Sequence, residues 1–264
     1  MRLHLFEWED QSWFPASLRT AMTSYLATAY GITPLPKLWA ERLSTLLARD
    51  RLNEIVDLGS GSGGPMQLVV KELEEQGFKL RVTLTDLYPA SAAPAPFEYW
   101  QQPVDATRVP ASLHGIRTMF ASFHHFRPQM ARQILFDAFT QRRPICVLEG
   151  TSRTAPAIAT TVLIPLLVLL LTPKVRPVSW VQIVFTYIIP ILPLLIFWDG
   201  LISHLRTYSP REIEALTQSL DSPEYSWETG LIHAPRTPAG LPYLIGKPNS
   251  SSQAAHVGLS DRRN

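Results

Sequence analysis

The stretch "VDLGSGSGGP" places Gly59, Gly61 and Gly64 at the spacing G-x-G-x-x-G. Positions without a Cβ let backbone N–H groups approach a ligand, and a helix starting there offers positive potential to an anion. Alone, the spacing also fits a plain tight turn. Three carboxylates add to it: Asp57 two residues before Gly59, Asp86 closing a second apolar run, and Asp105 in "PVDAT". Acids at the carboxyl ends of neighbouring strands converge on the crevice where α/β sheets take nucleotide-like ligands. His124 and His125 in "SFHHF" follow a further run directly. An imidazole there can remove a proton from a reacting group; the plainer reading has it capping the strand end or packing against "FRPQM".

These residues need a scaffold, and the hydrophobic periodicity supplies one. "SLRTAMTSYLATA" and "PKLWAERLSTLLARD" read as two amphipathic helices, with Leu18, Met22, Tyr25 and Leu26 on one face and Trp39, Leu43, Leu46 and Leu47 on the other helix's face. "EIVDLG" is then a strand, and "PMQLVVKELEEQG" a helix with Pro65 in its first turn and Gly77 past its end. Further strands are predicted at Leu80 to Asp86, Phe97 to Val104, Ile116 to Phe123 and Pro144 to Gly150, with "RPQMARQILFDAFTQ" a helix between the last two. Such alternation implies right-handed βαβ units and a parallel sheet covered on both faces. "YSPREIEALTQSL" starts a helix with Ser209 as N-cap and Glu212 closing a capping box. Two strands around a turn at Pro235 to Gly240 finish the sheet as a hairpin.

With these elements in place, "EIVDLGSGSGG" resembles motif I of the class I S-adenosylmethionine-dependent methyltransferases, an acid followed by Gly-x-Gly-x-Gly: here Asp57, Gly59, Gly61 and Gly63. The resemblance covers about residues 54 to 150 and resumes from 208 to 247. It implies an α/β, Rossmann-like, mostly parallel seven-stranded sheet with a C-terminal antiparallel hairpin, and S-adenosylmethionine as cofactor. It places Gly59, Ser60, Gly61 and Gly63 under the methionine moiety and Asp57 near its amino group. Asp86, with Leu87 beside it, would hold the ribose, and Asp105 and Ala106 the adenine. It sets His124 and His125 against the methyl group and substrate. The sequence departs from the family in a late second-strand acid and in a large apolar block after the fifth strand. An NAD-type Rossmann oxidoreductase also fits the glycines and Asp86, but leaves Asp57 and Asp105 unexplained. A non-catalytic membrane-bound scaffold is the reading from a different class.

The apolar block runs from 157 to 198 as "AIATTVLIPLLVLLL" and "WVQIVFTYIIPILPLLIFW", joined by "TPKVRPVS". The first run, about fifteen residues or roughly 22 Å of helix, falls short of a bilayer core of roughly 30 Å. In the second, Pro190 and Pro193 predict kinks. The reading adopted is a kinked helical hairpin dipping into one leaflet, with Trp180 and Trp198 at the interface and Arg153, Lys174, Arg176 and Arg206 meeting headgroups. Double spanning and a soluble lid are the alternatives. In each case the block borders the crevice and suits an apolar, lipid or quinone-like acceptor, with the catalytic domain cytoplasmic and membrane-associated.

The chain is therefore divided into an N-terminal helical cover (1–50), the methyltransferase domain (51–152 and 204–248), the inserted hairpin (153–203) and a polar, disordered tail (249–264). "FEWEDQSWFP" adds Glu7, Glu9 and Asp10 among four aromatics. It could close the site or form a cation-binding face; the plainer reading is an amphipathic edge covering the sheet. These acids stand where a signal peptide needs an apolar core, so export is not expected. Lys plus Arg exceed Asp plus Glu by 24 − 22 = +2, with no dense basic run, so nucleic acid is not an expected partner. The single Cys146 excludes an internal disulfide, and no Cys/His spacing suggests a metal site.

Overall fold

A computed structural model describes residues 2–50, 52–89, 96–235 and 239–249. The predicted tail, beyond Asn249, and residues 236–238 of the predicted turn lie outside the described residues. Seven strands form one sheet in the order β3-β2-β1-β4-β5-β7-β6. β1 (Glu54–Leu58), β2 (Arg81–Thr85), β3 (Glu98–Tyr99), β4 (Ile116–Phe120) and β5 (Ile145–Leu148) run parallel. β7 (Leu241–Pro248) is antiparallel to both β5 and β6 (Tyr225–Ile232). The central strands β1, β4 and β5 are almost continuously buried, as strands covered on both faces must be. Arg117 in β4 is buried against Asp137 of the covering helix at 2.8 Å.

One face is covered by α2 (Leu35–Asp50) and α3 (Met66–Glu75), which bury Trp39, Leu43, Leu47, Met66 and Leu73. The other carries α4 (Pro128–Thr140) and the helix Pro210–Thr217 through Ile134, Leu135, Ile213 and Leu216. The Ser209–Glu212 capping box forms as predicted. In α1 (Ala16–Gly31) Met22 and Tyr25 are buried, whereas Leu26 faces outward.

Three expectations need correction. The third strand is two residues long, not Phe97 to Val104: Pro103 has no N–H to give a ladder, and Val104 N already turns to donate to Asp86 O. The first apolar run is longer than the spacing of its apolar residues suggested. Helical turns at both ends extend it to Ala155–Lys174, 20 residues at a mean hydropathy of 2.2, about 30 Å at 1.5 Å per residue. The second run is broken as expected, but at one of the two prolines. Trp180–Ile188 meets Ile191–Arg206 at 90°, and the break lies at Pro190, while Pro193 falls in the first turn of the later helix, where a missing N–H costs nothing.

The insertion packs on α1 through a third core of Phe14, Met22, Tyr25, Val168, Leu171, Leu192 and Ile196. Its polar residues Thr172, Gln182 and Thr186 turn inward. Its outer face stays apolar and exposed at Val162, Leu166, Leu170, Trp180, Ile188 and Leu194.

Candidate active site

The glycine loop joins β1 to α3 at the carboxyl edge of the sheet. Gly59 and Gly61 take φ values of +65° and +53°, a region that a side chain makes costly. Gly61 is gripped from two sides: its N–H donates to Asp86 Oδ2 at 2.9 Å and its carbonyl accepts from Tyr99 Oη at 2.9 Å. The Ser60 hydroxyl donates to Asp57 O and Thr85 N donates to Ser60 Oγ. The loop is thus fixed by groups from β1, β2 and β3.

Asp57 is buried at the end of β1, and its Oδ1 accepts from Thr118 Oγ1 of β4 at 2.7 Å. Burial raises its pKa to about 6, the Ser60 and Thr118 hydrogen bonds hold it down in part, and the nearby Asp86 charge raises it further. A cation placed against a carboxylate in that situation would stabilise its charged form. Asp86 directly follows β2 and is half-buried; Leu87 beside it is exposed. Asp105 is exposed, with Oδ1 accepting from both N and Oγ1 of Thr107, and Ala106 is buried.

After β4 the chain turns sharply at Ala121, φ +47°, into a 3-10 turn at Phe123–His125. A Cβ on Gly59 would stand 3.9 Å from Ser122 Oγ, so this turn borders the glycine loop. His124 is buried, with Nδ1 2.7 Å from Glu149 Oε2 and its backbone N–H donating to Glu149 Oε1 at 2.8 Å. Its Nε2 is buried without a hydrogen-bond partner. His125 stacks on it at 4.4 Å between centroids. Its Nδ1 lies 2.9 Å from Asp10 Oδ1 and 3.4 Å from Glu7 Oε2. Burial works against a charged His125 ring, but the Asp10 hydrogen bond and the Glu7 charge outweigh it and raise the pKa to about 9.

The N-terminal segment closes this corner. Leu3 N donates to Leu205 O, Trp8 N and Glu9 N donate to the Asp199 carboxylate, and Trp198 Nε1 donates to Phe6 O. Arg206 Nε donates to Leu5 O, and NH1 reaches Asp10 Oδ2 at 2.6 Å. The segment is thus a strap over the histidines, not an edge whose aromatics merely cover the sheet. Two of the four cations expected at headgroups are engaged inside: Arg206 is buried in this cluster and Arg153 pairs with Glu212. Trp198, expected at an interface, anchors the strap. Lys174, Arg176 and Trp180 remain exposed.

Sequence reasoning did not foresee that Glu7 would meet the histidine pair across 117 positions, because contacts of an irregular segment leave no periodic signal. Beyond Glu149 lies a cavity of about 190 Å³, bordered by Pro34, Leu35, Gly150, Ala157, His204 and Leu241. The α1–α2 connection, the start of the insertion and the start of β7 all contribute to its wall.

The fold is similar to solved structures. The plantazolicin methyltransferase BpumL in complex with SAH matches over 88% of this chain and 98% of its own, at 12% identity and a TM-score of 0.52. The chain has the class I methyltransferase fold. The methyltransferase domain of bacterial-CtHen1-CN covers 80% of this chain and 97% of its own, at 14% identity and a TM-score of 0.45. No protein-family model and no curated protein sequence matches the chain.

Proposed function

We propose that the protein is an S-adenosylmethionine-dependent methyltransferase whose acceptor is an apolar or membrane-associated small molecule, lipid or quinone-like. The observation that carries the cofactor is the buried Asp57 carboxylate beside a fixed glycine loop, a negative charge with no cation against it among the described residues' contacts. An α-ammonium would supply that cation. The Gly59–Gly61 turn leaves room for a chain to pass, since a Cβ at Gly61 would meet nothing within 4 Å. In this reading Asp86, directly after β2, is the ribose partner and Asp105, in the loop six residues past β3, the adenine partner, with Leu87 and Ala106 beside them.

Bound S-adenosylmethionine supplies an electrophilic methyl group on a sulfonium. The chain's own task is to align an acceptor and, where the acceptor carries a proton, to take charge of that proton. Of the His124–His125 pair, His124 is the group for this; His125, held charged by Asp10 and Glu7, stacks beside it. Glu149 fixes the His124 ring and leaves Nε2 with its lone pair, in a corner that the strap shields from water.

The acceptor class is supported by the apolar cavity next to Glu149 and by the insertion that walls it. The exposed stripe Val162, Leu166 and Leu170 recurs every four residues along one helix face and carries no charge. Its opposite face contacts α1, which brings Arg19, Thr20, Ser24 and Thr28 alongside. Spanning would draw those groups into hydrocarbon. The insertion therefore lies on a lipid surface by its outer face, with Trp180, Lys174 and Arg176 at the headgroups.

The test is to incubate the intact protein with methyl-labelled S-adenosylmethionine and total lipid extract. Label entering the organic phase is expected; label confined to water-soluble products would overturn the acceptor class.

A further inference from the structure

We propose that Glu7, His124 and His125 form a binding site for a divalent transition cation of the zinc or cobalt type. One ligand atom from each residue lies within 4.8 Å of the other two. A tetrahedral site with bonds of about 2.0–2.1 Å needs them roughly 3.3 Å apart. The missing distance is within reach of Glu7, which enters on a strap, and of His125, whose side chain is one-third exposed.

Two further observations point to a ligand. His124 Nε2 is a buried nitrogen with no partner, on a residue only 2% exposed; in a finished site such an atom is satisfied. His124 also has Nδ1 held by the Glu149 carboxylate at 2.7 Å, the outer-shell pattern of metal-bound imidazoles, in which the carboxylate fixes the tautomer and leaves Nε2 to ligate. His125 Nδ1 faces Asp10 at 2.9 Å and Glu7 at 3.4 Å, so a cation bound there displaces the proton these carboxylates hold on the ring.

Charge favours a cation as well. The carboxylates of Glu7, Asp10 and Glu149 border the two rings, whereas Glu9, pushed by burial up to about 8, adds no charge at neutral pH. Arg206 meets them from one side, and Arg2 gives its guanidinium to the carbonyls of His124 and Phe126. Arg206 is 3.3 Å from Glu7 but 2.6 Å from Asp10, so it keeps Asp10 and Leu5 O when Glu7 turns to a metal. Two imidazoles and one carboxylate suit zinc, cobalt or ferrous iron and suit magnesium or calcium poorly. Three protein ligands leave a position open for water or an acceptor oxygen; with a cation bound His124 Nε2 is a ligand and no longer a proton acceptor, and the acceptor-oxygen role rests on the methyltransferase reading, whereas the site itself does not.

The test uses untagged, chelator-stripped protein titrated with Co²⁺ and followed by visible absorption. The expected result is one equivalent bound with a four- or five-coordinate spectrum, displaced by Zn²⁺. His125→Ala, at a partly exposed position, should weaken binding about tenfold or more, and the outer-shell change Glu149→Gln by about 10–100-fold. A spectrum of the hydrated ion alone, or binding unaffected by His125→Ala in a folded protein, would overturn the site. Calorimetry with S-adenosylhomocysteine on the same samples separates the two readings. A cobalt site without nucleoside binding contradicts the methyltransferase reading alone, and the reverse result contradicts the metal site alone.

Discussion

Glu149 holds His124 at two points, accepting its backbone N–H with Oε1 and facing Nδ1 with Oε2. One carboxylate from the end of β5 therefore sets both the position and the tautomer of a ring that follows β4. Glu149→Gln keeps an acceptor for the N–H but offers an amide donor to Nδ1, moving the ring proton to Nε2. Methyl transfer should fall by about 10²–10⁴-fold, with cofactor affinity unchanged. Single-turnover rates beside calorimetry will show whether the losses separate in this way.

Asp57 links affinity to pH. Its pKa is raised to about 6 in the free protein, chiefly by burial. An ammonium partner stabilises the charged form, so affinity for S-adenosylhomocysteine should be constant above about pH 7 and weaken as pH falls through about 6, by up to about tenfold per unit. Without ligand the sign is opposite: the native state binds the proton more tightly than the unfolded chain, so stability is lost as pH rises from about 4 through 6. Asp57→Asn should therefore raise stability at neutral pH by roughly 1–3 kcal/mol while removing most of the binding. Thermal melts and titrations across pH check both halves.

Gly61→Ala meets no steric neighbour in the free protein, so its cost is the left-handed backbone alone, about 1–2 kcal/mol. The ligand is expected to lie where the new methyl points. Binding should accordingly fall far more than stability does, and a variant equally affected in both would place the ligand elsewhere.

The stripe on the insertion is separable from the fold. Leu166 and Leu170 are 54% and 61% exposed, so changing both to Gln should alter stability by no more than about 0.5 kcal/mol each. Each buried leucine contributes about 1.5–3 kcal/mol, so sedimentation with vesicles should weaken about tenfold or more. Unchanged sedimentation would leave the outer face without a lipid role.

Much of this architecture was legible in the residues because periodicity is local. The glycine turn, the acid before it, the largely apolar strands and the Ser209 capping box each announce themselves within a few positions. The edge strand was overestimated because β-rich composition near Phe97 says nothing of how many N–H groups find partners. The apolar run was measured by its apolar residues, although Thr172, Pro173 and Lys174 extend the helix by a turn. The strap was the least legible part. Arg206, Asp199 and Trp198 looked like features of a membrane edge, and only the fold shows them holding residues 3–10. Long-range ionic contacts of that kind have no sequence period.

Calorimetric titration of the intact chain with S-adenosylhomocysteine at neutral pH, beside a parallel titration with NAD, decides which cofactor the glycine loop takes. One site of micromolar or tighter affinity for S-adenosylhomocysteine is expected, lost in Asp57→Ala, with no binding of NAD. Binding of NAD with none of S-adenosylhomocysteine would contradict the methyltransferase reading.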